Sequence, residues 1–365
     1  MKKLKWLTPI LIMSLLFGMV ACKHSTNAPD PHHHTFAEDW TRDETYHWHA
    51  STCGHDVTEG KAEHSFGIWE ITKDPTETES GKMESVCEVC GESVTKEIQV
   101  PEDFRFVKGD TISGTETWTP TSKVFVSGRS LTIPNLFVSD HEVTRGEYKA
   151  VMGSDPSTAK AYDENGTELT GDDVLNNPVN CVNWYNAIVY CNKLSKKEGL
   201  TECYSINGET DPDKWGTVPT TQRAEAWDVT CNFEANGYRL PTEAEWEWFA
   251  RGGENYDFAG SGTLDDVAWH RDITTGTRKV KTKDPNGYGL YDMSGNVNEW
   301  CWDRYVYNID VSTGEYGVAS GNSRVKRGGS WDNTATYCQV YYHGLSQDPY
   351  LSYDDCGFRV VRTIN

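Results

Sequence analysis

The chain has 365 residues, 11 cysteines, 12% aromatic residues and a formal net charge of −21. That length suits two or three folded units, and the aromatic content argues against a mostly disordered chain despite a mean hydropathy of −0.64. The acid excess argues against a nucleic-acid partner and against adsorption to an anionic bilayer, because no basic face is available to displace counterions.

Residues 1–21 carry Lys2, Lys3 and Lys5 and then an apolar run from Trp6 to Ala21. The run is short for a transmembrane span and has the order of a secretory signal. Met19-Val20-Ala21-Cys22 resembles the lipobox of bacterial lipoproteins. That resemblance implies cleavage before Cys22, lipidation of Cys22 and membrane attachment through lipid alone. Lys23 stands where an aspartate often retains lipoproteins in an inner membrane, so an outer-membrane or cell-surface location is expected. Residues 22–34, with Pro29, Pro31 and His32-His33-His34, read as a polar tether. Export makes the remaining thiols candidates for pairing or for metal binding.

Residues 35–100 read as a small Cys/His module of zinc-ribbon type. Cys87-Glu88-Val89-Cys90-Gly91 has the CxxCG spacing with which two thiolates grip zinc from a tight turn. Cys53 is then the third ligand by elimination, and His49 or His55 the fourth. The alternative is a Cys87–Cys90 disulfide. A module this poor in aliphatics benefits from a staple of either kind. Its repeated His/Trp/Cys pattern resembles modules that follow the anchor of bacterial surface proteins, which implies a spacer.

Residues 104–365 form the main domain. Thr144-Arg145-Gly146-Glu147 and Thr242-Glu243-Ala244-Glu245 are capping boxes that predict short helices ending near Gly153 and at Gly252-Gly253. Trp184, Ala187, Ile188, Cys191 and Leu194 give one apolar helix face, closed by Gly199. Long Gly-, Asn-, Asp- and Trp-rich stretches between them predict irregular loops, with short strands such as Phe358–Val361. The fold class is α+β with low regular content. Cys203 and Cys231 are expected to form a disulfide, and Cys338 and Cys356 are a possible second pair.

Several segments occur in a characteristic order: Val143-Thr144-Arg145-Gly146-Glu147-Tyr148, Pro178-Val179-Asn180-Cys181-Val182-Asn183-Trp184, Tyr238-Arg239-Leu240-Pro241-Thr242-Glu243-Ala244-Glu245-Trp246-Glu247, the run from Asn286 to Trp300, Arg327-Gly328-Gly329-Ser330-Trp331 and Gly357-Phe358-Arg359. Together they resemble the formylglycine-generating enzyme, or sulfatase-modifying factor, family. The resemblance implies a C-type-lectin-like fold of that family's kind. It also implies a calcium ion held by Asp292, the carbonyls of Gly295 and Val297, and Glu299, a hard-oxygen set. The family's oxidase chemistry uses copper(I) on two cysteines, five apart, after the GGS motif. The matching positions here are Asn333 and Cys338. One soft thiolate is missing, so Cys338 is a catalytic residue only if the chain is an oxidase after all.

Residues 331–356 instead hold Tyr337, Tyr341, Tyr342, Tyr350 and Tyr353 and no Lys, Arg or Glu. Tyrosine with small polar residues is the composition of a paratope. Some spirochaete lipoproteins of this fold are variable receptors diversified by a retroelement at adenine-bearing codons, and the segment resembles theirs. The candidate contacts are Asp332, Asn333, Thr334, Tyr337, Tyr342, His343, Tyr350 and Tyr353. The expected function is display of a non-catalytic domain for binding a surface or host ligand. The alternatives are a formylglycine-generating oxidase acting on sulfatase cysteines and a structural envelope protein.

Overall fold

A computed structural model describes residues 33–222 and 227–364. The signal segment 1–21, Cys22 and the tether as far as His32 lie outside the described residues. Among the described residues no helix is long and apolar enough to cross a membrane.

The chain divides into two compact units, one reaching to Ser65 and including Cys87–Glu92, the other formed by Phe66–Val86 and Ser93–Asn365. The division falls differently from a boundary near residue 100. In the first unit, strands Phe36–Arg42, Tyr46–Ser51 and Thr58–Glu63 form an antiparallel sheet. Trp40 pairs with His49 and Arg42 with His47, and the pairing to the third strand shifts between His47 and His49. The strands Glu70–Lys73, Gly81–Val86 and Ser93–Ile98 form a second antiparallel sheet, which belongs to the other unit.

Two four-stranded sheets organise the larger unit. The first has the order Tyr238–Arg239, Val361–Thr363, Leu136–Ser139, Phe104–Val107, so the last strand of the chain lies inside it. The second has the order Leu345–Gln347, Arg324–Arg327, Asn298–Arg304, Cys356–Gly357. Asn298 and Glu299 run parallel to Cys356 and Gly357. Helix α1 (Arg145–Met152) and helix α3 (Glu243–Arg251) both start at the expected capping boxes, on Thr144 and Thr242, and both stop at a left-handed glycine. Helix α2 is Trp184–Lys197, capped by Asn183 and Asn186. It buries Trp184, Ala187, Ile188 and Cys191 completely in the main core, beside Trp300 and Phe358.

The C-terminal strand begins at Val361, later than expected. Phe358 and Arg359 are buried but lie outside the ladder: the Phe358 carbonyl accepts from the Val143 amide, and the Arg359 guanidinium pairs with Glu299. Cys203, just before the strand Tyr204–Ile206, and Cys231, on the strand paired with it, are free thiols, and Cys338 and Cys356 are free and buried.

Candidate functional site

The motif residues build a frame around the segment 331–356. Arg327, fully buried, donates to Glu243 at 3.2 Å and Glu247 at 2.8 Å, both on α3. Its other two terminal N–H groups donate to the carbonyls of Tyr342 and Val340, each at 2.6 Å, while Nε finds no partner. Asn298 closes the base of the segment, donating to Asn333 Oδ1 at 3.3 Å and to Asp355 Oδ2 at 2.9 Å. Gly329 has φ +72°, and a Cβ there would lie 2.8 Å from Cys338 Sγ and 2.9 Å from the Tyr337 carbonyl. Only glycine tolerates that approach.

The expected contact residues do not share one environment. Tyr337 and Tyr353 are 37% and 51% exposed. Tyr337 meets Tyr342 edge to face, with ring centroids 5.0 Å apart. Asp332 and Thr334 are exposed, and Asp332 pairs with Arg271 at 3.3 Å. His343 is different. Its side chain is 4% exposed, with Nδ1 on Glu243 at 2.7 Å and Nε2 donating to the Val306 carbonyl at 2.6 Å. Burial pulls its pKa down, but Glu243 and the carbonyl outweigh that and raise it. His343 is part of the frame and is no surface contact.

Tyr350 lines a cleft of about 400 Å³ with Tyr185, Trp227, Arg304, Asn322 and Asp348. The Asp348 carboxylate accepts from Tyr350 Oη at 2.8 Å and Ser323 Oγ at 2.9 Å. Tyr185 and Trp227 meet edge to face at 5.5 Å. The cleft thus offers aromatic walls, one guanidinium and an oriented carboxylate, the makeup of a small-ligand site. A larger cavity of about 640 Å³ lies by Phe233 and Tyr316. Its lining includes Arg239 and Glu245, paired with each other at 2.7 Å, together with Glu234 and Glu315.

The positions that would hold copper carry unsuitable donors. Asn333 accepts from Asn298, and Cys338 is fully buried beside Leu264, Val267 and Ala268. Burial pushes the Cys338 thiol up to about 12, so it is a neutral core side chain. Of the calcium set, Glu299 has both oxygens engaged, by Arg359 at 2.6–2.8 Å and by Trp246 Nε1 at 2.7 Å. Asp292 Oδ2 accepts from the Lys281 amide, and Oδ1 is buried without a partner. Burial pushes Asp292 up to about 6. Glu142 is buried beside Asp292 and Glu299, accepts from Asn296 and from the Val297 amide, and is held well above the usual carboxylate range by burial and by those two neighbours. Sequence reasoning missed Glu142, although its place just before the Val143 motif was a signal.

In the smaller unit the expected zinc set separates. Cys87 and Cys90 lie with His47 and His64, the four donor atoms all within 4.8 Å of one another. Cys53 lies with His34 and His55 instead. His49 stacks on Trp40 at 3.9 Å. The third strand carries an extra residue opposite the stretch between His47 and His49. His47 is buried, and His49 is held against Trp40 instead.

Residues 90–364 match the family model of the sulfatase-modifying factor enzyme 1-like domain. The chain is 33% identical over 301 residues to the chaperone protein LppX of Paenibacillus barcinonensis, covering 76% of this chain and 94% of that protein. It is 37% identical over 143 residues to the formylglycine-generating enzyme of Mus musculus, covering 34% of this chain and 38% of that protein. Treponema denticola variable protein 1 superposes with a TM-score of 0.60 at 30% identity, over 82% of this chain and 100% of that one. With the order of motifs and the buried frame they form, these matches show that the chain belongs to the formylglycine-generating enzyme (sulfatase-modifying factor) family.

Proposed function

We propose that the chain is an exported, lipid-anchored protein of the bacterial outer membrane or cell surface. It displays a C-type-lectin-like domain of the formylglycine-generating type as a binding unit without oxidase activity. The segment Asp332–Tyr353 and the cleft at Tyr350 are its contact site.

One observation carries this reading. At the copper position stand a hydrogen-bonded carboxamide and a neutral buried thiol, while the same segment builds an aromatic cleft on a rigid frame. Two similar proteins are named a chaperone and a variable protein, names that denote no oxidation. Calcium belongs to the proposal through Asp292, whose buried Oδ1 has no partner and which lies with Glu142 and Glu299 in a carboxylate cluster countered by Arg359 and, at Asp292, by His141.

The test pairs two assays on the full chain in detergent. On peptide and glycan arrays, wild type is expected to bind a restricted set of spots, and Tyr350→Ala with Tyr353→Ala to lose them at least tenfold. Supplied with copper(I), oxygen and a sulfatase-type cysteine peptide, the chain is expected to produce no formylglycine. Turnover of that peptide, lost in Cys338→Ser, overturns the reading in favour of an oxidase.

A further inference from the structure

The geometry points to a structural zinc(II) site in the smaller unit, closed by His47, His64, Cys87 and Cys90.

The donor spacing fits. A tetrahedron with Zn–N and Zn–S bonds of about 2.0–2.3 Å has edges of roughly 3.3–3.8 Å. His64 Nδ1 lies 3.3 Å from Cys90 Sγ, and His47 Nδ1 lies 4.0 Å from Cys87 Sγ. Two thiolates with two imidazoles give the Cys₂His₂ set that zinc takes in closed sites.

The outer contacts fit as well. His64 Nε2 donates to the Asp43 carbonyl at 2.8 Å, which leaves Nδ1 as the lone-pair nitrogen turned to the thiols. A carbonyl behind a histidine fixes its tautomer in this way at metal centres. Cys87 and Cys90 lie on a tight turn in which the Gly91 amide donates to the Cys87 carbonyl at 3.0 Å, with Gly91 at φ +72°. Arg42 holds that turn from outside, through the Cys90 carbonyl at 2.9 Å.

The decisive point is what this unit lacks. Among the described residues, its buried side chains are Cys87 and Cys90, 2% and 9% exposed, and His47 at 3%. Among its described residues no aliphatic side chain is buried; around the donor atoms the packing is aromatic, with Trp40 edge-on to His47 at 4.7 Å. A small domain built so gains its folding free energy from the ion.

Cobalt(II) added to the chelator-stripped full chain is the test. Wild type is expected to show tetrahedral visible bands and a sulfur-to-metal band from two thiolates, displaced by one equivalent of zinc. Cys87→Ser is expected to lose the sulfur-to-metal band. Cys53→Ser and His49→Ala are expected to keep the spectrum, since neither belongs to the set. His64→Cys keeps a full donor set, so it is expected to retain the metal and to strengthen the sulfur-to-metal band by about half, through a third thiolate. A wild-type spectrum that survives Cys87→Ser, or vanishes in Cys53→Ser, overturns the assignment. A Cys87–Cys90 disulfide in protein isolated from the cell envelope overturns it too.

Discussion

The Glu299 carboxylate accepts three hydrogen bonds from the Arg359 guanidinium, with both side chains at most 1% exposed. This pair joins two motifs 60 residues apart, one on the strand Asn298–Arg304 and the other just before the last strand. Arg359 also reaches the carbonyls of Ser139 and Tyr291, so it ties a third strand to the same point. Breaking such a pair from one side leaves an uncompensated buried charge. Arg359→Ala is expected to cost about 3–5 kcal/mol in urea unfolding, far more than the loss of an exposed pair such as Lys160–Glu168.

Calcium is expected to raise the unfolding temperature of chelator-stripped wild type by several degrees. Asp292→Asn should abolish that shift, because it replaces the free, buried Oδ1 and removes its charge. An equal shift in both proteins would place the ion elsewhere.

His141 gives a pH dependence. Burial pulls its pKa down, but Asp140 at 2.6 Å and Glu147 at 3.5 Å outweigh this and push it up to about 9. A raised folded pKa contributes stability that is complete below about 6.5 and is lost as pH rises through about 9. Wild type is therefore expected to lose about 3 kcal/mol across that window. His141→Gln should be flatter over the same range, as read from thermal unfolding at fixed ionic strength.

Gly329 and Cys338 make a linked prediction. Gly329→Ala is expected to destabilise by about 1–3 kcal/mol, since the new Cβ meets Cys338 Sγ and the Tyr337 carbonyl at a positive φ. In the native wild type at pH 8, iodoacetamide should modify Cys181, which is partly exposed, well before Cys338. Mass mapping of the alkylated peptides reads the order directly.

The parts legible in the sequence are those fixed by local chemistry. Thr144 with Glu147, and Thr242 with Glu245, specify their helix starts because each box closes within four residues. The apolar face of α2 follows from its period. Of the proposed zinc donors, Cys87 and Cys90 were legible from their spacing, while His47 and His64 were not, because only the folded unit brings them to thiols 40 and 26 residues away. His343 resembled an exposed contact because its partner, Glu243, is 100 residues distant. Glu142 escaped for a similar reason: its role depends on Val297 and Asn296, which only the tertiary fold brings to it.

Arg327 grips the segment through the carbonyls of Val340 and Tyr342. A carbonyl is the same group in every residue, so the grip at position 342 is indifferent to which side chain stands there. The chain can exchange Tyr342 for another residue and keep the anchor that shapes the loop. In the binding reading proposed above, changes of recognition and retention of the fold would thereby be decoupled at that position.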